Sequence, residues 1–274
     1  MAPDATPGPR TALVAGVAPL QQRYRLLVAA LRSFALILLL AEPARAREEE
    51  AEPFEEIELF EAAGAVGTLV LPAGAPDRRT PAIVILHGNA RPDGRASLYT
   101  DELLGGGFAV LEMVHLPDGS LETVLTALQL HPRVAGQPLG FLGFGAGARL
   151  AAEWPGPIGA RALLYPGCDG LVPAMTRGEA VLIMHGAADP VNEAGACAML
   201  GQAMGASGIA VRIRVFERAS YAWDRPSFAR DGRALLPRPV GPGRVSSVAW
   251  PELAVLSASE VAGFFAMTLL SPAR

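Results

Sequence analysis

From residue 57 onward, short aliphatic or β-branched runs alternate with Ala- and Leu-rich segments of helical period, and this alternation constrains the fold more than any other feature. Strands that read as near-continuous apolar runs are covered on both faces, and connections long enough to hold a helix make neighbouring strands parallel. Segments 57–61, 67–72, 82–86, 108–114, 139–144, 162–165, 180–184 and 210–216 are predicted as strands, the first two as a hairpin. Segments 97–104, 120–130, 146–153, 192–204 and 259–270 are predicted as helices, with Gly or Pro at most junctions. The expected class is α/β, one mainly parallel sheet of about eight strands with helices on both faces. The Pro-, Gly- and Arg-rich stretch 231–242 has no period and is predicted as a surface loop before the last helix.

The chain has 274 residues, 51% of them hydrophobic, which suits one large domain with a sizeable core. Its formal net charge is -4, so no basic surface is available to neutralise a phosphate backbone, and nucleic acid is not an expected partner. All 23 basic residues are arginine. Without lysine there is no Schiff base, no lysine general base and no Walker-type phosphate loop, and no cofactor is expected. At the N-terminus, Arg23 and Arg25 precede an apolar run over 33–40, followed by Ala44-Arg45-Ala46. That order matches a secretory signal, and the run is too short for the roughly 20 residues of a membrane span. Residues 1–46 are therefore expected to be a signal cleaved after Ala46, 47–56 a solvated acidic leader, and 57–274 the folded domain, exported to the periplasm or beyond with no membrane anchor left.

The chemistry centres on Leu139-Gly-Phe-Leu-Gly-Phe-Gly-Ala-Gly-Ala-Arg-Leu150, a buried strand, a glycine-rich turn and a helix that begins with small residues. This is the setting of a G-x-S-x-G nucleophile elbow. Here the frame is Gly143-Phe144-Gly145-Ala146-Gly147, and glycine takes the nucleophile's place. Such an elbow forces a strained positive-φ backbone that glycine adopts freely. The other reading is that these glycines serve only close packing of helix on strand; dinucleotide spacing, G-x-G-x-x-G, is not matched. Ile83-Val-Ile-Leu-His87-Gly88-Asn89 ends another strand in a His-Gly turn, where Asn89 or Ala90 supplies one oxyanion-hole N–H and Ala146 the second. Val181-Leu-Ile-Met-His185-Gly-Ala-Ala-Asp189-Pro places Asp189 either as a triad acid or as the N-cap of a helix starting near Asn192. After the following strand, where a triad histidine belongs, stands Tyr221, whose ordinary pKa of about 10, against about 6.5 for histidine, makes it no neutral-pH base. A hydrogen bond from Tyr221 to Asp189 is its expected remaining role.

Taken in order, the His87-Gly88 turn, the 143–147 elbow, Tyr165-Pro-Gly-Cys168, His185-Gly-Ala-Ala-Asp189-Pro with Cys197 downstream, and Ala219-Ser-Tyr221-Ala-Trp-Asp-Arg-Pro226 resemble the exported branch of the dienelactone hydrolase family. The resemblance covers roughly residues 55–270 and implies an α/β-hydrolase fold and hydrolysis of small lactones or carboxylic esters by a Cys or Ser, an Asp and a His. Asp189 matches the acid; Gly145 and Tyr221 depart from the nucleophile and the histidine. The segment 114–139 is also short for the family's active-site loop and helix. The expectation is a catalytically incapacitated protein that keeps a pocket for a small apolar acid, ester or lactone, or serves a protein partner. The alternative is an active hydrolase with a relocated nucleophile, Ser97, Ser220 or Cys168, and a base from His87, His115, His131 or His185. Cys168 and Cys197 are expected to form a disulfide after export, against two buried thiols.

Overall fold

The computed structural model describes residues 55–75, 77–87, 92–226 and 231–270. The signal-like segment and nearly all of the acidic leader lie outside them. Eight strands form one sheet in the order β1-β2-β4-β3-β5-β6-β7-β8. They are β1 (Glu56–Ala62), β2 (Ala65–Leu71), β3 (Ala82–Leu86), β4 (Ala109–His115), β5 (Leu139–Phe144), β6 (Ala160–Leu164), β7 (Ala180–Gly186) and β8 (Ala210–Phe216). β1 and β2 are a hairpin closed by Ala63 and Gly64, both at positive φ, as a two-residue turn matched to strand twist requires. β2 pairs antiparallel with β4, and every later neighbour is parallel.

The central strands are buried along their whole length, so successive residues feed two different cores. Val84 and Leu86 join Phe141 and Leu163 under α2 (Leu121–Leu130), α3 (Ala146–Glu153) and α4 (Ala196–Ala206). Ile83 and Ile85 join Leu142 and Leu164 under α1 (Ala96–Gly105) and α5 (Pro251–Phe265), which continues as a π-helical turn over Ala266–Leu270. α5 begins earlier than its sequence pattern implies, because Pro251 opens it at the first helical position, where a missing N–H costs nothing.

Two details fix α3 on the sheet. Arg161 of β6 is fully buried, yet it donates to the carbonyl oxygens of Ala151 and Trp154 at 2.6 and 2.8 Å and pairs with Glu179 at 2.8 Å. It thereby satisfies carbonyls that the end of α3 leaves without helical partners. At the other end, a Cβ on Gly143 would lie 2.6 Å from the Ala148 nitrogen, so only glycine lets the helix start directly on β5.

The stretch predicted as a loop over 231–242 is instead partly strand: β9 (Arg233–Pro237) pairs antiparallel with β10 (Arg244–Val248). The ribbon is separate from the main sheet and largely exposed, so only Val245 and Ser247 turn inward and no hydrophobic period marks it. Likewise α4 starts at Ala196, after Gly195 at positive φ, rather than near Asn192.

Cys168 and Cys197 are joined in a disulfide, 29 residues apart in sequence. It ties the turn after β6 to the first turn of α4. In the chain-entropy model a loop of that length contributes about 3–4 kcal/mol. The paired change Cys168→Ser with Cys197→Ser is expected to lower unfolding stability by about that amount, read as a shift in urea midpoint. An unchanged midpoint would contradict a structural role for the bond.

Candidate functional site

β5 delivers Gly145 at the carboxyl edge of the sheet with φ 55° and ψ -113°, a combination open to glycine and costly for other residues. Its N–H donates to the Leu164 oxygen at 3.0 Å, and its own carbonyl accepts from Ala148 and Arg149 as α3 begins. The turn is therefore held by backbone alone, with no side chain at its apex. The N–H groups of Ala146 and Gly147, the first of α3, have no hydrogen-bond partner among the described residues. Both belong to the positive end of the helix dipole.

Tyr221 reaches this apex from the turn after β8. A Cβ built on Gly145 would overlap the Tyr221 hydroxyl and lie 3.3 Å from its Cζ. Several contacts set that approach. Ala187 and Ala188 donate to the Phe216 and Ala219 oxygens at 2.9 and 3.1 Å, and any Cβ on Gly186 would strike the Ala219 carbonyl. Ala222 is held at φ 50°, Trp223 donates to the Ser257 hydroxyl of α5 at 2.9 Å, and the Trp223 oxygen accepts from Trp250 at 2.7 Å. The Tyr221 ring packs edge-on against Tyr165, with centroids 5.1 Å apart. Burial pushes the phenol far above its ordinary pKa, so it stands as a neutral hydroxyl.

Asp189 follows β7 and is 4% exposed. Its carboxylate accepts from the Val191 N–H at 2.9 Å and from Asn192 Nδ2 at 3.1 Å. Asn192 in turn accepts from the Cys168 N–H at 2.9 Å, so the disulfide and the acid share one brace. Two expectations are corrected here. Asp189 does not cap α4, whose N-cap is Gly195; it closes a local turn that ends four residues before the helix. Nor does Tyr221 hydrogen-bond to Asp189, because its hydroxyl turns to Gly145 while the carboxylate is taken up by Val191 and Asn192.

A buried polar cluster behind Tyr221 escaped the sequence reading. Asp224 accepts from the hydroxyls of Tyr99 and Tyr165, both at 2.7 Å. Arg95 donates to Tyr165 Oη at 2.8 Å, lies 3.9 Å from Asp224 and forms a two-pronged pair with Asp93. The Tyr165 and Asp224 motifs were visible, but Arg95 and Tyr99 sit at the start of α1, and nothing local marks them as partners of residues 70 or more positions away.

Candidates for a relocated catalytic pair do not meet. Cys168 is consumed in the disulfide, Ser220 Oγ accepts from the Val248 N–H at 2.8 Å, and Ser97 is exposed on α1. His87 Nε2 pairs with Glu112 at 2.8 Å, His131 with Glu58 at 3.2 Å, His185 turns to the Gly186 carbonyl, and His115 is exposed. No serine or cysteine bonds to a histidine among the described residues. Asn89 and Ala90, expected in the oxyanion hole, lie outside those residues. Among the described residues no cluster of His, Cys, Asp and Glu is placed to hold a metal.

No family model matches the sequence, and no curated protein matches it. Solved structures do. A dienelactone hydrolase from Anabaena variabilis ATCC 29413 aligns with a TM-score of 0.54 and 18% identity, over 80% of this chain and 99% of that one. A dienelactone hydrolase-like promiscuous phosphotriesterase from metagenomic libraries aligns with a TM-score of 0.58 and 17% identity, over 78% and 98%. Esterase 2 of Thermogutta terrifontis, phosphoramylated by tabun, aligns with a TM-score of 0.56 and 18% identity, over 83% and 100%. At these identities the likeness is one of fold.

Asp189 carries a measurable signature of this arrangement. Desolvation by burial raises its pKa from 3.8 to about 6, outweighing the Val191 hydrogen bond and the pull of Arg238. The folded state thus binds this proton more tightly than the unfolded chain. Its stabilising contribution is full below about pH 4 and lost as pH rises through about 6, a change on the order of 3 kcal/mol. The stability difference between wild type and Asp189→Asn should therefore shift against wild type between pH 4 and 7, read by urea unfolding at each pH. A flat difference would contradict the raised pKa.

Proposed function

We propose that this chain, built on the α/β-hydrolase fold it shares with dienelactone hydrolase and related esterases, is an exported member of that group that no longer cleaves esters and keeps its site for binding. The observation that carries this reading is the Tyr221 hydroxyl standing where the first carbon of a Gly145 side chain would lie. Both substitutions act together. Glycine removes the attacking atom, and the longer tyrosine reaches into the space left behind. Asp189 then has no imidazole to orient, and the phenol stays protonated near neutral pH, leaving no phenolate to act as a base.

Export is supported by the signal-like order of charge, apolar run and small residues at the N-terminus. The disulfide is consistent with it, since such bonds persist mainly in oxidising compartments. The competing reading, a hydrolase with a relocated nucleophile, draws no support from the pairings of Ser97, Ser220 and Cys168 described above.

Four proteins assayed on a short p-nitrophenyl ester under one set of conditions test the proposal: wild type, Gly145→Ser, Tyr221→His and the double variant. Wild type and Tyr221→His are expected to be inactive for want of a nucleophile. Gly145→Ser alone is expected to be inactive too, because its Cβ collides with the Tyr221 hydroxyl and no base is in reach. That change also costs about 1–3 kcal/mol of stability through the positive-φ backbone. The double variant is expected to recover measurable turnover, with Asp189 available to orient the new imidazole. Wild-type turnover that survives Gly145→Ala would overturn the proposal.

A further inference from the structure

At the amino edge of the parallel strands, opposite the edge that carries Gly145, a cavity of about 450 Å³ opens between the end of β2, the segments leading into β3 and β4, and Arg133. Hydrogen bonds fix its walls. The Thr80 N–H donates to the Arg133 oxygen at 2.8 Å, and the Thr80 hydroxyl donates to the Gly107 oxygen. Pro72 and Leu104 give the cavity an apolar side.

Arg133 is 7% exposed. Its Nε donates to the Arg78 oxygen at 2.8 Å and its Nη2 to the Pro72 oxygen at 3.3 Å, which leaves Nη1 with no hydrogen-bond acceptor among the described residues. The nearest carboxylate, that of Glu56, stands 3.8 Å from Nη1 on a side chain that is 60% exposed. The other buried arginines differ. Every guanidinium nitrogen of Arg95, Arg161 and Arg225 donates to an oxygen. Among the described residues, Arg133 is thus the buried cation with an unused nitrogen, and that nitrogen borders a cavity. A buried charge without a contacting counter-ion is costly, so an entering anion is favoured there.

Arg78 lines the same cavity from its exposed rim, and its guanidinium has no partner among the described residues. The acids nearby decide how much charge an occupant carries. Glu55 also lines the cavity and Glu56 approaches Arg133, so two negative groups already stand beside the two positive ones. A dianion would meet both. A monoanion has only to displace Glu56, and an exposed ion pair at that distance holds weakly. Two oxygens shared between two guanidiniums are what a carboxylate offers.

We infer that this cavity is a second binding site, for a short-chain aliphatic carboxylate, gripped by Arg133 Nη1 and the Arg78 guanidinium with its chain against Pro72 and Leu104. The site uses no residue of the elbow, so it stands or falls independently of the proposed loss of hydrolysis.

The experiment is a titration of the full-length protein with butyrate and, in parallel, with butyramide and inorganic phosphate, followed by NMR of the arginine Nε–H and backbone amide signals. Butyrate is expected to give saturable shifts at the Arg133 Nε–H and the Thr80 N–H. Arg78→Gln keeps the carbonyl that Arg133 uses and removes an exposed side chain, and it is expected to weaken that binding about tenfold. Glu56→Gln removes the competing carboxylate and is expected to tighten it severalfold. Butyramide is expected to give no saturable shift, and phosphate to bind more weakly than butyrate. No saturable shift with butyrate, equal affinity in Arg78→Gln, unchanged or weaker affinity in Glu56→Gln, butyramide binding as tightly as butyrate, or phosphate binding more tightly would each overturn the inference.

Discussion

Everything in this site depends on one backbone turn. Between β5 and α3 the chain reverses with Gly145 at φ 55° and ψ -113°, which seats the helix directly on the strand and leaves its first N–H groups pointing at the carboxyl edge. A residue with a side chain would be held there under strain that only a reaction could justify. Glycine carries no such strain. Gly143 adds the second requirement, since its missing Cβ is what allows the helix to approach.

Position 221 bears on the same turn. The Tyr221 phenol spans the space over Gly145 and brings its hydroxyl to the apex. Its electrostatic consequences spread outward. Burial of Asp189 outweighs the pull of Arg238, so it holds its proton more tightly, while Asn192, braced by the Cys168 backbone, keeps the carboxyl group in place. The cluster of Arg95, Asp93, Tyr99, Tyr165 and Asp224 supports the Tyr221 ring from behind and binds its own charges internally. Around the Gly145 apex these contacts leave no side chain on the turn itself.

Much of this was legible in the chain. Strands β3, β5 and β8 coincide with their apolar runs, and the elbow, the Asp189 turn and the Tyr221 turn converge as their motif order implies. Those features are local: a strand is a run of side chains and an elbow a run of glycines. What escaped was non-local or unpatterned. The β9–β10 ribbon is exposed on most of its positions and carries no period. The Asp224 cluster joins residues from α1, β6 and the turn after β8, and no spacing within any one segment encodes that meeting. Asp189 looked like a helix cap because aspartate before a helix commonly is one, while Gly195 at positive φ sets the true start.

The central claim is that no side chain in this site can attack a carbonyl or phosphoryl centre, and intact-mass spectrometry of wild-type protein after incubation with a fluorophosphonate tests it most directly. The account predicts an unmodified mass for wild type and a single adduct, mapped to position 145, for the Gly145→Ser/Tyr221→His variant. A stoichiometric adduct on wild type, at any serine, would show that a nucleophile is present and would contradict it.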